Sequence, residues 1–272
     1  MSGRLAVHVN TENAGVITHN ASDPVSGYAG IPRNMTGMAR KLKDAGYSTH
    51  MVGKWDVGMA TPEHSPTGKG FDSFLGYFQH ANDYWQKGMG FQATGEVDEC
   101  MNKFVDFLKC NKTFVGGVTD EIAKENKCMM SSVHRQNHRL SPKQGVNATG
   151  CTNASYCISD ACYEEAQLKE HALSLLAAHD PSSPLFLFYS FHLLHTPLQI
   201  PESYLHKIDR VVEEKGGKPF DSQNRRYLAA MVLYMDDVIG ELEKALRAKG
   251  MWDDTLIVFT SDNGGAGYEP GA

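Results

Sequence analysis

Leu256-Ile257-Val258-Phe259-Thr260 runs directly into Ser261-Asp262-Asn263-Gly264-Gly265. The first five residues are aliphatic, β-branched or aromatic and read as a buried strand, with the polar group that follows as its exit. Asp262 and Asn263 offer carboxylate and amide oxygens suited to calcium or magnesium, and the paired glycines let the backbone close tightly around a bound ion. In an open α/β sheet, ligands gather outside the carboxyl ends of the strands, so a site is expected here. Asp-Asn-Gly is equally ordinary turn chemistry, so the rest of the chain has to decide.

Immediately upstream, residues 224–249 predict the clearest helix, with Leu228, Met231, Val232, Met235, Val238, Ile239, Leu242 and Leu246 on one stripe and Gly250 as its stop. Residues 184–191 form a continuous apolar run short enough for a buried strand, and helical spacing holds over 163–179. Nearer the start, 34–46 predicts a short helix: Asn34 as N-cap, Met35, Met38, Ala39 and Leu42 as its apolar face, Gly46 as its end. Residues 47–52 then read as a strand leading into Gly53-Lys54-Trp55-Asp56, and 57–160 as loops without sustained periodicity. Alternating helices and strands predict an α/β fold with a mostly parallel sheet and helices on both faces. Three strands thus end in polar clusters, at 54–56, 192–195 and 262–263. If the strands are parallel neighbours, those clusters share one rim.

With 272 residues, 41% hydrophobic, the chain can bury a substantial core. The net charge of -6 is spread along the sequence with no lysine or arginine block, which argues against nucleic acid or an anionic membrane surface as partner. The longest apolar stretch, 185–194, is interrupted by Ser190 and His192 and falls well short of the roughly 20 residues of a membrane helix. Glycosylation acceptors Asn-X-Ser/Thr occur at Asn20, Asn34, Asn111, Asn147 and Asn153, and the excess points to a secretory route. All six cysteines, Cys100, Cys110, Cys128, Cys151, Cys157 and Cys162, fall in one loop-rich segment and read as a disulfide-stapled insertion. A zinc site using Cys157, Cys162, His134 and His138 is the weaker alternative, because the spacings match no regular zinc pattern. The first eight residues have no apolar core or cleavage site of a signal peptide, so a glycosylated, disulfide-bearing chain of this kind is expected to be a piece of a longer one.

A rim holding a cation, Lys54 and His195 suits the hydrolysis or transfer of a tetrahedral oxyanion ester. The cation and Lys54 would neutralise the non-bridging oxygens while His195 protonates the leaving oxygen. His192 lies an odd number of residues before His195, faces the other way in an extended strand, and reads as structural. Spacing alone does not separate phosphate from sulfate chemistry.

Four landmarks in order carry a resemblance: Gly46-Tyr47-Ser48-Thr49-His50-Met51-Val52-Gly53-Lys54-Trp55, Lys69-Gly70-Phe71-Asp72-Ser73-Phe74-Leu75-Gly76-Tyr77, His195-Thr196-Pro197-Leu198-Gln199-Ile200-Pro201 and Ser261-Asp262-Asn263-Gly264-Gly265. Together they resemble the sulfatase family, its arylsulfatase B group in particular. The resemblance implies an alkaline-phosphatase-like α/β fold, with residues 1–272 as part of a catalytic domain and the cysteine-rich loop insertion at about 98–162. It further implies hydrolysis of aryl or glycan sulfate esters by a formylglycine made from the cysteine of a Cys-X-Pro-Ser/Thr-Arg motif. Carried over by position, Lys54 would bind the sulfate, His195 would assist the leaving oxygen, and Asp262 with Asn263 would hold one calcium ion. Asp56 stands where the family continues Gly-Lys-Trp with histidine; a carboxylate there could accept a hydrogen bond from the aldehyde hydrate while adding negative charge beside an anionic ester.

None of the six cysteines lies in the required motif. The nucleophile is therefore expected upstream of residue 1, the remaining acidic metal ligands and a second sulfate-binding lysine outside the chain, and the 272 residues alone are expected to be inactive. A secreted or lysosomal glycoprotein is implied. Two rival readings are a non-catalytic pseudosulfatase that binds sulfated glycan, for which Asp56 argues, and a phosphatase or phosphodiesterase of the same superfold, which would need more His and Asp ligands.

Overall fold

The computed structural model describes residues 1–5, 9, 30–58, 61–78, 84–85 and 163–264, and the backbone of 108–111 and 128–130. The chain divides into two compact units, Met1–Ala172 with Ser182–His192, and Leu173–Pro181 with Leu193–Ala272.

The first unit carries a five-stranded sheet. Its strands are β1 (Ser48–Lys54), β2 (Ser73–Tyr77), β3 (Leu108–Asn111), β4 (Cys128–Met130) and β5 (Leu185–Ser190), in the order β4-β3-β2-β1-β5. β1 runs parallel to both β2 and β5, while β3 and β4 are antiparallel additions. The parallel trio is the expected open α/β core, and the exits of β1 and β5 are neighbours, with Gly53 opposite Ser190. Only the backbone of β3 and β4 is described within the cysteine-rich insertion, where Cys110 stands opposite Cys128 in register. The other four cysteines, His134, His138 and the acceptors Asn20, Asn147 and Asn153 lie outside the described residues.

Met51, Trp55, Phe71, Phe74 and Phe78 form one core with Ala39 of α1 (Met38–Asp44), and Phe186 and Phe188 of β5 pack against it. Phe71 stacks on Phe186 at 5.9 Å and meets the edge of Trp55 at 6.2 Å. Aromatic rings from β2, β5 and the residues just outside β1 and β2 thus fill this core beside Ala39 of α1. α1 starts later than its apolar spacing predicts. Its N-cap is Gly37, with no side-chain cap, and Asn34 sits in an exposed turn instead. That turn is held from elsewhere: the Lys69 ammonium donates to the carbonyls of Pro32 (2.6 Å) and Met35 (3.4 Å). Gly46 ends the segment as expected, at φ +91.

β2, which lies in the stretch that reads as loop, is almost entirely buried. Gly76 is the reason its apolar pattern is weak and also the reason it fits: a Cβ there would lie 1.9 Å from the Gly53 carbonyl oxygen. Gly53 is equally tight against Ser190, with a Cβ-to-oxygen distance of 1.8 Å. The three parallel strands pinch together on two glycines just before the rim.

In the second unit, α3 (Glu202–Glu214), which periodicity alone did not predict, packs against α4 (Gln223–Ala248), the predicted long helix, which ends before Gly250 at φ +67. Polar contacts lock the pair: Tyr204 donates to Asp237 (2.7 Å), Lys207 pairs with Asp237, and Arg226 donates from Nε to both Asp209 oxygens (2.9 and 3.1 Å). α2 (Glu164–Ala178) matches the helical spacing over 163–179.

The predicted strand at 255–260 is not formed. Residues 256–260 pair with no strand among the described residues, and Leu256, Ile257, Val258 and Phe259 are 87, 51, 76 and 68% exposed. The composition is that of a central strand, but a strand is made by its neighbours' hydrogen bonds, and no strand among the described residues supplies them. No helix among the described residues is long and apolar enough to cross a membrane.

Candidate functional site

Lys54 is the last residue of β1, so the strand delivers its ammonium to the carboxyl end of the parallel trio. The side chain is only 11% exposed and its Nζ lies 3.5 Å from Asp56 Oδ2. Trp55, between them, is buried, and its indole N–H donates to the carbonyls of Gly58 (2.7 Å) and His64 (3.0 Å). This fastens the turn after β1. Asp56 adopts φ +46, a left-handed conformation that aspartate tolerates better than most residues, and its N–H donates to the Phe78 carbonyl at 3.3 Å. The turn therefore brings the carboxylate back over the lysine.

Part of the second landmark has a structural role. Thr49 donates its hydroxyl to the Gly70 carbonyl (2.9 Å), and the Asp72 carboxylate accepts from the Thr49 N–H (3.0 Å) while pairing with Lys43 (3.1 Å). Gly70 and Asp72 therefore secure the start of β1 rather than its rim.

His192, two residues beyond β5, is sealed in a polar network of the first unit. Its Nδ1 lies 2.9 Å from Glu164 Oε1, its backbone N–H donates to Glu165 Oε1 (2.7 Å), and its carbonyl accepts from the Tyr84 hydroxyl (2.9 Å). The Tyr84 ring stacks on the imidazole at 3.9 Å. Burial, reinforced by the nearby Glu165, Tyr77 and Glu164, pushes the Tyr84 phenol well above its ordinary pKa, so it remains a donor. His192 is structural, as expected, but because of this network rather than strand alternation: the strand ends at Ser190 and a turn follows at 193–194. Its acidic partners carry no local sequence signal beyond two glutamates in the first turn of α2.

In the second unit, His195 is half-buried and its Nδ1 donates to the Thr196 carbonyl at 2.7 Å. A carbonyl can only accept, so Nδ1 carries hydrogen and the acid-base work of the ring falls to Nε2. Asp262 and Asn263 lie in an exposed bend after residues 256–260, where Ser261 Oγ donates to the Asn263 carbonyl. Their oxygens have the right chemistry for calcium but are two donors for an ion that takes six to eight. Among the described residues no group of three or more His, Cys, Asp or Glu gathers that could hold a metal. The site residues thus fall into two sets, Lys54 with Asp56 in one unit and His195, Asp262 and Asn263 in the other.

The Sulfatase family model matches residues 8–272. The chain belongs to the sulfatase family. Sulfatase relatives include mouse arylsulfatase J, 28% identical over 86% of this chain and 30% of that protein, and mouse N-acetylgalactosamine-6-sulfatase, 23% identical over 98% of this chain and 40% of that protein. The chain therefore spans about a third of the length of these curated sulfatases. The crystal structure of Ps i-CgsB superposes with a TM-score of 0.51 at 19% identity, over 85% of this chain and 40% of the other. That likeness bears on the fold, which is the alkaline-phosphatase-like α/β sheet of sulfatases.

Proposed function

We propose that this sulfatase chain contributes the sulfate-binding and leaving-group residues of a formylglycine-dependent sulfuric ester hydrolase acting on aryl or glycan sulfates. The observation that carries the reading is Lys54, set by a parallel strand and a Trp55-anchored turn at the carboxyl rim, in a chain whose family hydrolyses sulfate esters. Lys54 neutralises the non-bridging oxygens of the ester, an interaction that strengthens as charge accumulates in the transition state. His195, with Nδ1 held by Thr196, delivers the Nε2 proton of its imidazolium to the departing oxygen. Formylglycine, when present, supplies the hydroxyl that attacks sulfur. Asp262 and Asn263 would contribute two calcium ligands, too few by themselves to define a site.

The 272 residues contain no Cys-X-Pro-Ser/Thr-Arg motif and are expected to be inactive alone. We place the chain in a catalytic domain with a disulfide-bearing insertion at about 98–162, in a secreted or lysosomal glycoprotein. A second reading, a pseudosulfatase that binds sulfated glycan without cleaving it, is favoured by Asp56, whose carboxylate offsets Lys54 at 3.5 Å.

Release of the phenol from an aryl sulfate separates the two. The chain alone should give none, and a chain extended upstream with the cysteine motif and matured to formylglycine should turn over, with Lys54→Ala lowering kcat/KM by at least about a hundredfold. Turnover by the 272 residues alone would refute the missing-nucleophile reading; an inactive matured protein that still binds sulfated glycan would leave the pseudosulfatase.

A further inference from the structure

We propose that Asp56 makes the Lys54 site selective for singly charged tetrahedral esters, so that it favours sulfate monoesters over doubly charged phosphate monoesters. The inference rests on Lys54 being the anion-binding residue. It starts from the rigid mounting of the carboxylate: the turn is tied by the Trp55 indole to Gly58 and His64 and by the Asp56 N–H to Phe78, and Asp56 Oδ2 lies 3.5 Å from Lys54 Nζ. Both side chains are mostly withdrawn from solvent, at 11 and 32% exposure, so their charges are poorly screened.

The ammonium and carboxylate together carry no net charge. An anion bound at Lys54 lies near the Asp56 carboxylate, whose Oδ2 is 3.5 Å from the ammonium, so each added negative charge gains attraction from one group and repulsion from the other. A second ligand charge therefore brings little extra binding while costing more hydration. A sulfate monoester bears one negative charge and hydrogen-bonds to Lys54 without that penalty. A phosphate monoester, whose second ionisation lies near pH 6, bears two at pH 8. The same repulsion acts on inorganic sulfate, the doubly charged product, and hastens its departure. Asp56 is thus a specificity-determining residue that acts through charge, a role the family's neutral or cationic histidine at this position does not supply.

The test uses phenyl sulfate and phenyl phosphate, matched in shape, titrated calorimetrically into the 272-residue chain at pH 8. The chain should bind phenyl sulfate more tightly. Asp56→Asn, isosteric and tolerant of the left-handed turn, should shift the ratio of the two dissociation constants toward phenyl phosphate by about tenfold or more. Asp56→Gly, which accepts φ +46 without strain, should do the same and guards against an effect peculiar to the amide. A ratio unchanged in both variants, or no binding of either probe by the parent chain, overturns the proposal. Lys54→Met separates it from the reading beneath: if that variant binds both probes as the parent does, Lys54 is not the anion site, whereas loss of both probes with an unmoved ratio in the Asp56 variants sinks only the charge selectivity.

Discussion

Glu164 Oε1 lies 2.9 Å from His192 Nδ1, and neither side chain reaches solvent. The contact joins the first turn of α2 to the residue at which β5 gives way to the segment leading to His195. A buried pair of this kind contributes little compared with an apolar replacement, but each partner alone is costly. Glu164→Ala should therefore destabilise the chain by about 3–5 kcal/mol, Glu164→Gln by less because the amide oxygen still accepts, and the double change Glu164→Leu with His192→Phe should recover part of the loss. Urea denaturation midpoints at constant m-value measure all three.

Gly53 sets a steric limit. A methyl group there would lie 1.8 Å from the Ser190 oxygen, and the φ of +101 is strained for any L side chain. Gly53→Ala should cost more than about 3 kcal/mol, because β1 cannot keep register with β5 without moving Lys54. Lost soluble yield, or a denaturation midpoint far below that of the parent, is the expected result; a parent-like midpoint would mean that the strands separate easily.

Asp209 has a defined pH signature. Hydrogen bonds from Arg226 hold its carboxyl below the ordinary value near 4. Because the folded state holds the proton less tightly than the unfolded chain, the interaction stabilises fully above the unfolded pKa and is lost as pH falls through the lower, folded one. The pair is partly exposed, at 23 and 44%, so the effect after solvent screening is no more than about 1 kcal/mol. Asp209→Asn should lower stability at pH 7 and flatten its decline as the pH falls below about 4, read by urea denaturation across an acid series.

Asn34 offers an acceptor that needs no refolding. It lies exposed in the turn tied down by Lys69, with Thr36 exposed two residues on. Expressed behind a secretory leader, the chain should carry a glycan at Asn34, detected as a mass shift of its tryptic peptide that glycosidase removes and Thr36→Ala abolishes. An unmodified peptide from the secreted chain would count against it.

Where local physics decides the structure, the sequence is readable. The helix α4, the stop at Gly250, the apolar run of β5 and the exit of β1 at Lys54 follow from periodicity and from glycines at left-handed turns, although Val232 of the predicted stripe is exposed and Ala230 and Tyr234 are buried beside Met231, Val238 and Leu246. Pairing and competition were harder to see. Asn34 has the chemistry of a cap, but Lys69 claims its turn; β2 contains the glycine that its neighbours require; and residues 256–260 have the composition of a strand but pair with none among the described residues. Among site residues, Lys54 and Asp56 are two positions apart in sequence and 3.5 Å apart in space, because one turn suffices to join them. The Glu164, Glu165, Tyr84 and His192 network was illegible, since its members are up to 108 residues apart and no short motif links them.

The bare stretch at 256–259 has a practical cost. Uncharged, free of proline, and composed of leucine, isoleucine, valine and phenylalanine, it has the makeup of a steric zipper. An exposed stretch of that makeup favours cross-β stacking in concentrated solution. A lysine at Val258 is the gatekeeper substitution that would keep preparations clear.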